Sequence, residues 1–293
     1  MVASALGARE RSTEAQETQP KLPPKQEITL VTDDEVMLKA SFWPGTQAKE
    51  SVPVILLHAF GGSRKDFHQL AEFLQEKGCA VIAPDLRGHG ESTQVRDSNR
   101  ALLAANLSPA AFADMIDDVE TVKKYLMARN NGGELNIDKL CIVGAEMGAV
   151  VAANWAVTDW NWPPLAVGKQ GQDVKALVLL SPPEKFKSLR MLEPLNDRAV
   201  RSRVSFFIAV GNEDAAALRD ATKIHTNLKR FHPEPLKDED RDLYFDRRIA
   251  SKRQGTKLLG KEFKQYELME NIAEFIDMRS GKQPYPWQDR KLP

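Results

Sequence analysis

Five runs of this chain are almost uninterruptedly apolar and only seven to nine residues long: "VPVILLHAF", "CAVIAPDL", "KLCIVGA", "VKALVLL" and "VSFFIAVG". They are far below the ~20 residues that cross a bilayer, and too uniformly apolar for strands with one face in water. They predict strands covered on both faces. Between them lie segments of helical period. "KDFHQLAEFLQEKG", for example, sets Leu70, Phe73 and Leu74 on one face. A strand, helix, strand succession requires parallel pairing and a right-handed crossover. The expected class is therefore α/β: a mostly parallel, twisted, eight-stranded sheet with helices on both faces.

The remaining elements fit that frame. Alternating runs near 27 to 32 and 36 to 43 flank Asp33-Asp34 as an antiparallel hairpin. Helices are expected from the N-cap Ser108 to Ala128, from Met147, around "AALRDATKIHTNLKRF", and as one long element over "LLGKEFKQYELMENIAEFIDMRS", with a more polar outer strand at "DLYFDRRI". The segment "PPEKFKSLRMLEPLNDRAVRSR" is too short for a lid domain, and the charges around Lys185 fit a solvated helix face bordering the pocket. The expected organisation is a polar tail over 1 to 26, one domain over 27 to 280, and a Pro-rich surface tail over 281 to 293.

Charge narrows the function classes. Lys+Arg and Asp+Glu stand at 41 each, so no net field favours nucleic acid or an anionic membrane. Cys79 and Cys141 each open an apolar run and read as buried free thiols rather than a disulfide or metal ligands. No dinucleotide fingerprint, phosphate loop, calcium loop or metal constellation occurs, so no cofactor and no metal are expected. The N-terminus lacks a signal-peptide apolar segment, so the chain is expected to be soluble, cytoplasmic by default and exported only if a leader preceded this sequence. Its oligomeric state has no signature in the sequence.

Chemistry in such a sheet gathers beyond the carboxyl ends of the strands. Three turns fall there: "HAFGG" after the third strand, "DLRGHGES" after the fourth, and "GAEMGA" between a strand and a helix. In this order and spacing they resemble the α/β-hydrolase superfamily, of the single-domain esterase or dienelactone-hydrolase kind, over about residues 27 to 278. The resemblance implies an oxyanion-type loop at Ala59 and Phe60, completed by Met147. It also implies a nucleophile elbow, the strained strand-to-helix turn whose central side chain faces the pocket. At that centre stands Glu146. The acid position falls on Asp214 in "GNEDAAA", with Glu213 as a substitute, and the histidine position falls on Gln254 in "KRQGTKLLG". His58 and His89 belong to structural turns. His232 is the one other histidine on a loop that could approach the pocket.

A serine at the elbow depends on a histidine that takes and returns its proton. Glutamate, with an ordinary pKa of about 4.3, needs no activation, but an ester formed on it needs a base to activate water, and Gln254 is not one. One reading is therefore a non-hydrolytic binding or interaction protein that keeps the fold and holds a small-molecule ligand in the hydrolase pocket. In it Glu146 caps the following helix, a gain of roughly 0.3 to 1 kcal/mol, and Gln254 donates its amide to Glu146. The other reading is a hydrolase or lyase for a small ester-like or carbonyl substrate, with Glu146 and Asp214 as a carboxylate pair of separated pKa values. A third assignment makes Ser181 or Ser92 the nucleophile. Trp160 and Trp162 in "TDWNWPP" either pack under their loop or mark a partner surface.

Overall fold

In the computed structural model, residues 22–99, 101–163 and 168–290 are described. The expected polar tail lies almost wholly outside them. Eight strands form the sheet: β1 (Gln26–Val31), β2 (Val36–Trp43), β3 (Pro53–Leu57), β4 (Ala80–Pro84), β5 (Leu140–Ala145), β6 (Val174–Leu180), β7 (Ser205–Ala209) and β8 (Leu243–Asp246). Their spatial order is β1-β2-β4-β3-β5-β6-β7-β8, with a two-residue strand, Gln94–Val95, added to β2. β1 and β2 pair antiparallel, as does β2 with β4, while every pair from β4 to β8 is parallel.

The period-2 alternation of each strand divides the core in two. Ile55, Leu57, Ile142, Leu177, Leu179 and Ile208 face helices α2 (Met115–Asn131), α3 (Met147–Asn161) and α4 (Ala215–Leu228). Val54, Leu56, Val143, Val178, Leu180 and Ala209 face α1 (His68–Glu76) and α5 (Leu268–Ile276). Both faces are covered, which is why these strands read as apolar throughout rather than alternating. Cys79 and Cys141 are buried and free, and burial pushes each thiol up to about 12. No helix among the described residues is long and apolar enough to cross a membrane.

Several elements depart from the sequence reading. The helix expected from Ser108 begins only at Met115; Ser108 Oγ instead accepts from the Ala111 N–H at 3.2 Å, ahead of the short 3-10 turn Ala110–Phe112. The expected long last helix is broken into 3-10 turns, because Glu267 takes a left-handed conformation at φ 53° before α5 starts. The supposed helix face at Lys185 is a β-hairpin pairing Lys185–Phe186 with Leu189–Arg190, turned at Lys187 with φ 51°. The closing segment, expected to lie along the surface, is tied down. Asn130 and Asn136 donate to the Gln288 and Tyr285 carbonyls at 2.9 Å, and Arg290 is buried between Asp138 and Asp173.

Candidate functional site

The turn after β5 is built by two glycines that have no room for a side chain. A β-carbon at Gly144 would lie 2.5 Å from the Gly148 carbonyl, and one at Gly148 would lie 2.1 Å from the Leu57 carbonyl at the end of β3. The second approach presses the first turn of α3 against the loop that carries His58, Ala59 and Phe60. Between the glycines Glu146 sits at φ 47°, ψ −107°, a conformation costly for a residue with a β-carbon. Its N–H donates to the Leu180 carbonyl at 2.9 Å, which fastens the turn to the end of β6. Met147, the first helical residue, is buried; Ala59 is half-buried and Phe60 exposed.

The Glu146 carboxylate does not do what the sequence suggested. It makes no capping hydrogen bond to α3, although Glu146 holds the N-cap position. Its Oε1 lies instead over the backbone of Gly255, where a β-carbon would come within 2.5 Å and where φ is 61°. Burial raises its pKa above the usual carboxylate value; the positive charge of Lys257 opposes this and the negative charge of Asp214 adds to it.

Gln254 is engaged elsewhere. Its Oε1 accepts from Ser181 Oγ at 2.6 Å and from the Gly211 N–H at 3.1 Å, and its Nε2 donates to the Gly211 carbonyl at 3.0 Å. The amide expected to reach Glu146 is thus spent on joining the ends of β6 and β7. Ser181, at φ 51°, is equally committed, because its Oγ also accepts from the Gly255 N–H at 2.9 Å. No base faces it. Ser92 is a turn residue as well, donating to the Asp85 carbonyl and accepting from the Lys39 N–H. Asp214 caps α4, with Oδ1 accepting from the Ala216 and Ala217 N–H groups at 3.0 and 3.1 Å. Glu213 is exposed. Glu146 nonetheless meets the residue after Gln254, Gly255, at the carboxyl end of the sheet.

The histidines separate cleanly. His58 is wholly buried, with Nδ1 donating to the Ala59 carbonyl at 2.7 Å and Nε2 accepting from the Leu86 N–H at 3.0 Å. Burial, partly offset by that carbonyl, brings its pKa down to about 4, so it is neutral and structural. His89 is buried beside it, ring centroids 5.0 Å apart. His232 packs edge-on to Phe206 at 5.4 Å, and its Nδ1 lies 2.8 Å from Asp242, off the line of a hydrogen bond. Phe206 is the second residue of β7, so His232 lies at the opposite end of the sheet and does not approach Glu146. The Trp160 indole donates to the Val174 carbonyl at 3.0 Å, whereas Trp162 is 37% exposed. Cavities of about 520 and 500 Å³ open elsewhere, one lined by Val52, Cys79 and Lys139, the other by Phe207, Tyr244 and Phe275.

Two groupings had no signal in the sequence. Lys123, Asp159 and Asp173, buried in three separate elements, form an ion cluster closed by Arg290 and Lys169. Phe60, Phe112 and Phe186 gather beneath Lys187. Apart from Phe60, which the family resemblance places in the oxyanion-type loop, each member looks like an ordinary core or surface residue in its own segment, and only the tertiary fold assembles them.

Comparison with known proteins is consistent with this architecture. Residues 52–271 match the family model described as alpha/beta hydrolase fold. A zebrafish (Danio rerio) protein, sn-1-specific diacylglycerol lipase ABHD11, is 30% identical over 113 residues, which span 38% of this chain and only 29% of that lipase. Among solved structures, an esterase of Pyrococcus furiosus superposes with a TM-score of 0.61 at 18% identity, over 88% of this chain and 91% of that one. A dienelactone hydrolase from Anabaena variabilis gives 0.63 at 15% identity, over 89% and 100%.

Proposed function

The chain belongs to the α/β hydrolase fold family, and from that premise we propose that it is a non-hydrolytic member, a binding protein that keeps the hydrolase pocket for a small-molecule ligand. Glu146 then occupies the nucleophile elbow, Asp214 the acid position and Gln254 the histidine position, with Ala59, Phe60 and Met147 around the former oxyanion site. The observation that carries this reading is the engagement of the Gln254 amide away from Glu146. A hydrolytic cycle on Glu146 needs a base that takes a proton from water, and the group at that position is an amide whose oxygen and nitrogen are already bonded to Ser181 and Gly211.

A second reading rests on Glu146 itself. A carboxyl group whose pKa is raised by burial, with Asp214 close enough to raise it further, has the character of a general acid. It would suit a hydrolase or lyase acting on a small ester-like or carbonyl substrate. The esterase, lipase and dienelactone-hydrolase relatives favour such substrates, but each carries that chemistry for itself.

Assay against short-chain nitrophenyl esters separates the two. The wild type is expected to show no turnover, and Glu146→Ser/Gln254→His to gain roughly 100-fold over its own background, the usual worth of a placed general base. Clear wild-type turnover abolished by Glu146→Gln would establish the second reading in its place.

A further inference from the structure

We propose that Phe60, Phe112 and Phe186 form a binding site for the protonated head of an alkylamine, and that Lys187 occupies it as a tethered stand-in. The Lys187 Nζ stands 5.5 Å from the ring centroids of Phe60 and Phe112 and 5.9 Å from that of Phe186. All three lie inside the ~6 Å range over which an ammonium is drawn to a ring. The rings also pack on one another, at 6.0 Å for Phe60 with Phe112, 5.6 Å for Phe60 with Phe186 and 5.4 Å for Phe112 with Phe186. They come from three separate segments: the loop after β3, the 3-10 turn before α2, and the hairpin after β6. Their meeting is therefore no by-product of one element's period. Phe60 is 43% exposed and Phe112 only 1%, so the group meets solvent on its Phe60 side.

Lys187 is held there by its turn. It makes no ion pair among the described residues, and its φ of 51° is a conformation that a lysine adopts only at a cost. His89 borders the same rings. His89, 4% exposed, packs edge-to-face with Phe60 at 5.3 Å. Its Nδ1 faces the Arg87 carbonyl at 3.1 Å, which places the proton on that nitrogen. Nε2 is left as a buried acceptor with no partner among the described residues. Burial lowers the imidazole pKa, against the pull of the Arg87 and Leu86 backbone and the negative charge of Asp85.

These features select a cation by kind. Ring faces reward an organic ammonium over a metal ion, whose tightly held water they cannot replace. The proposal deepens the binding reading and rests on it. The probe below is an inert amine, so a hydrolytic activity found in the ester assay would overturn that reading without changing the outcome here.

Full-length wild type, Lys187→Met and Lys187→Met/Phe60→Leu would be titrated with n-butylammonium and, in parallel, n-butanol, reading phenylalanine ring resonances by NMR. A tethered lysine competes at an effective concentration in the millimolar range. Lys187→Met is therefore expected to bind butylammonium about tenfold more tightly than wild type, with shifts at all three rings. Butanol should gain nothing, and Phe60→Leu should reverse most of the gain. Equal butylammonium affinity in wild type and Lys187→Met, or an equal gain for butanol, would overturn the proposal. Lys187→Gly, which relieves the positive φ, serves as a second variant should the methionine disturb folding.

Discussion

The Asp159 and Asp173 carboxylates and the half-buried carboxylate of Glu146 are treated in opposite ways. Asp159 and Asp173 are fully buried and fully met: Lys123 Nζ lies 2.7 Å from the first and 3.0 Å from the second, while Lys169 and Arg290 hold the far side of Asp173. Burial alone would push Asp173 up, yet the three cations together bring it below the usual carboxylate range. Glu146 has no such escort. No ion pair or side-chain hydrogen bond meets its carboxylate among the described residues, its backbone is strained, and its pKa moves up. A protein that pairs one set of buried charges this thoroughly has the means to pair the other. The unpaired carboxylate is therefore the exception to the fold's own packing logic.

The paired set should break hardest. Lys123→Met removes the shared cation and leaves two aspartates with less compensation in an apolar interior, which is expected to cost about 3 to 5 kcal/mol. Chemical denaturation at neutral pH reads this directly, and a loss under 1 kcal/mol would mean that the cluster is far better hydrated than its burial indicates. His58 comes next, as a buried group at the Glu146 end that is satisfied without charge. Its folded pKa of about 4 lies below the ordinary 6.5. As pH falls below 6.5 the unfolded chain takes up a proton that the folded chain refuses, so stability drops between pH 6.5 and 4. The full span of that shift is worth roughly 3 kcal/mol. Denaturation curves across this window should show the loss in wild type and a smaller one in His58→Gln.

The same contrast shows what could be read from sequence. The strands were legible because burial on both faces leaves uninterrupted apolar runs, and the turn at Gly144 to Gly148 because only glycine permits those close approaches. The structure sets the Glu146 carboxylate against Gly255, the residue after Gln254. What Glu146 and Gln254 bond to was not legible. An amide has several partners within reach, and Gln254 takes Ser181 and Gly211, groups far from it in sequence. The break before α5 and the hairpin at Lys187 were missed for a related reason: Glu267 and Lys187 hold positive φ without glycine, so composition gives no sign of the turn. The ion cluster was invisible because an isolated Lys123 or Asp159 in a helical segment reads as a solvated charge until tertiary packing encloses it.

The smallest expected effect is the sharpest test of the unpaired carboxylate. Glu146→Gly keeps the turn but relieves a φ of 47° and removes a half-buried charge, so it should stabilise the protein by about 1 kcal/mol. Glu146→Gln keeps the strain and removes only the charge, which isolates the electrostatic part. Because the folded pKa is raised, the folded state holds the Glu146 proton more tightly than the unfolded state does. Below pH 4.5 both states are protonated and the carboxyl costs nothing. As pH rises from 4.5 through the raised folded pKa, the ionised group is increasingly disfavoured in the fold, and wild-type stability falls relative to Glu146→Gln. The two melting curves should therefore coincide near pH 4 and separate toward pH 8, with the glutamine variant the more stable. The opposite order at pH 8 would reveal a cation, Lys257 being the nearest candidate, closing on Glu146 in solution. The carboxylate would then belong with the paired set.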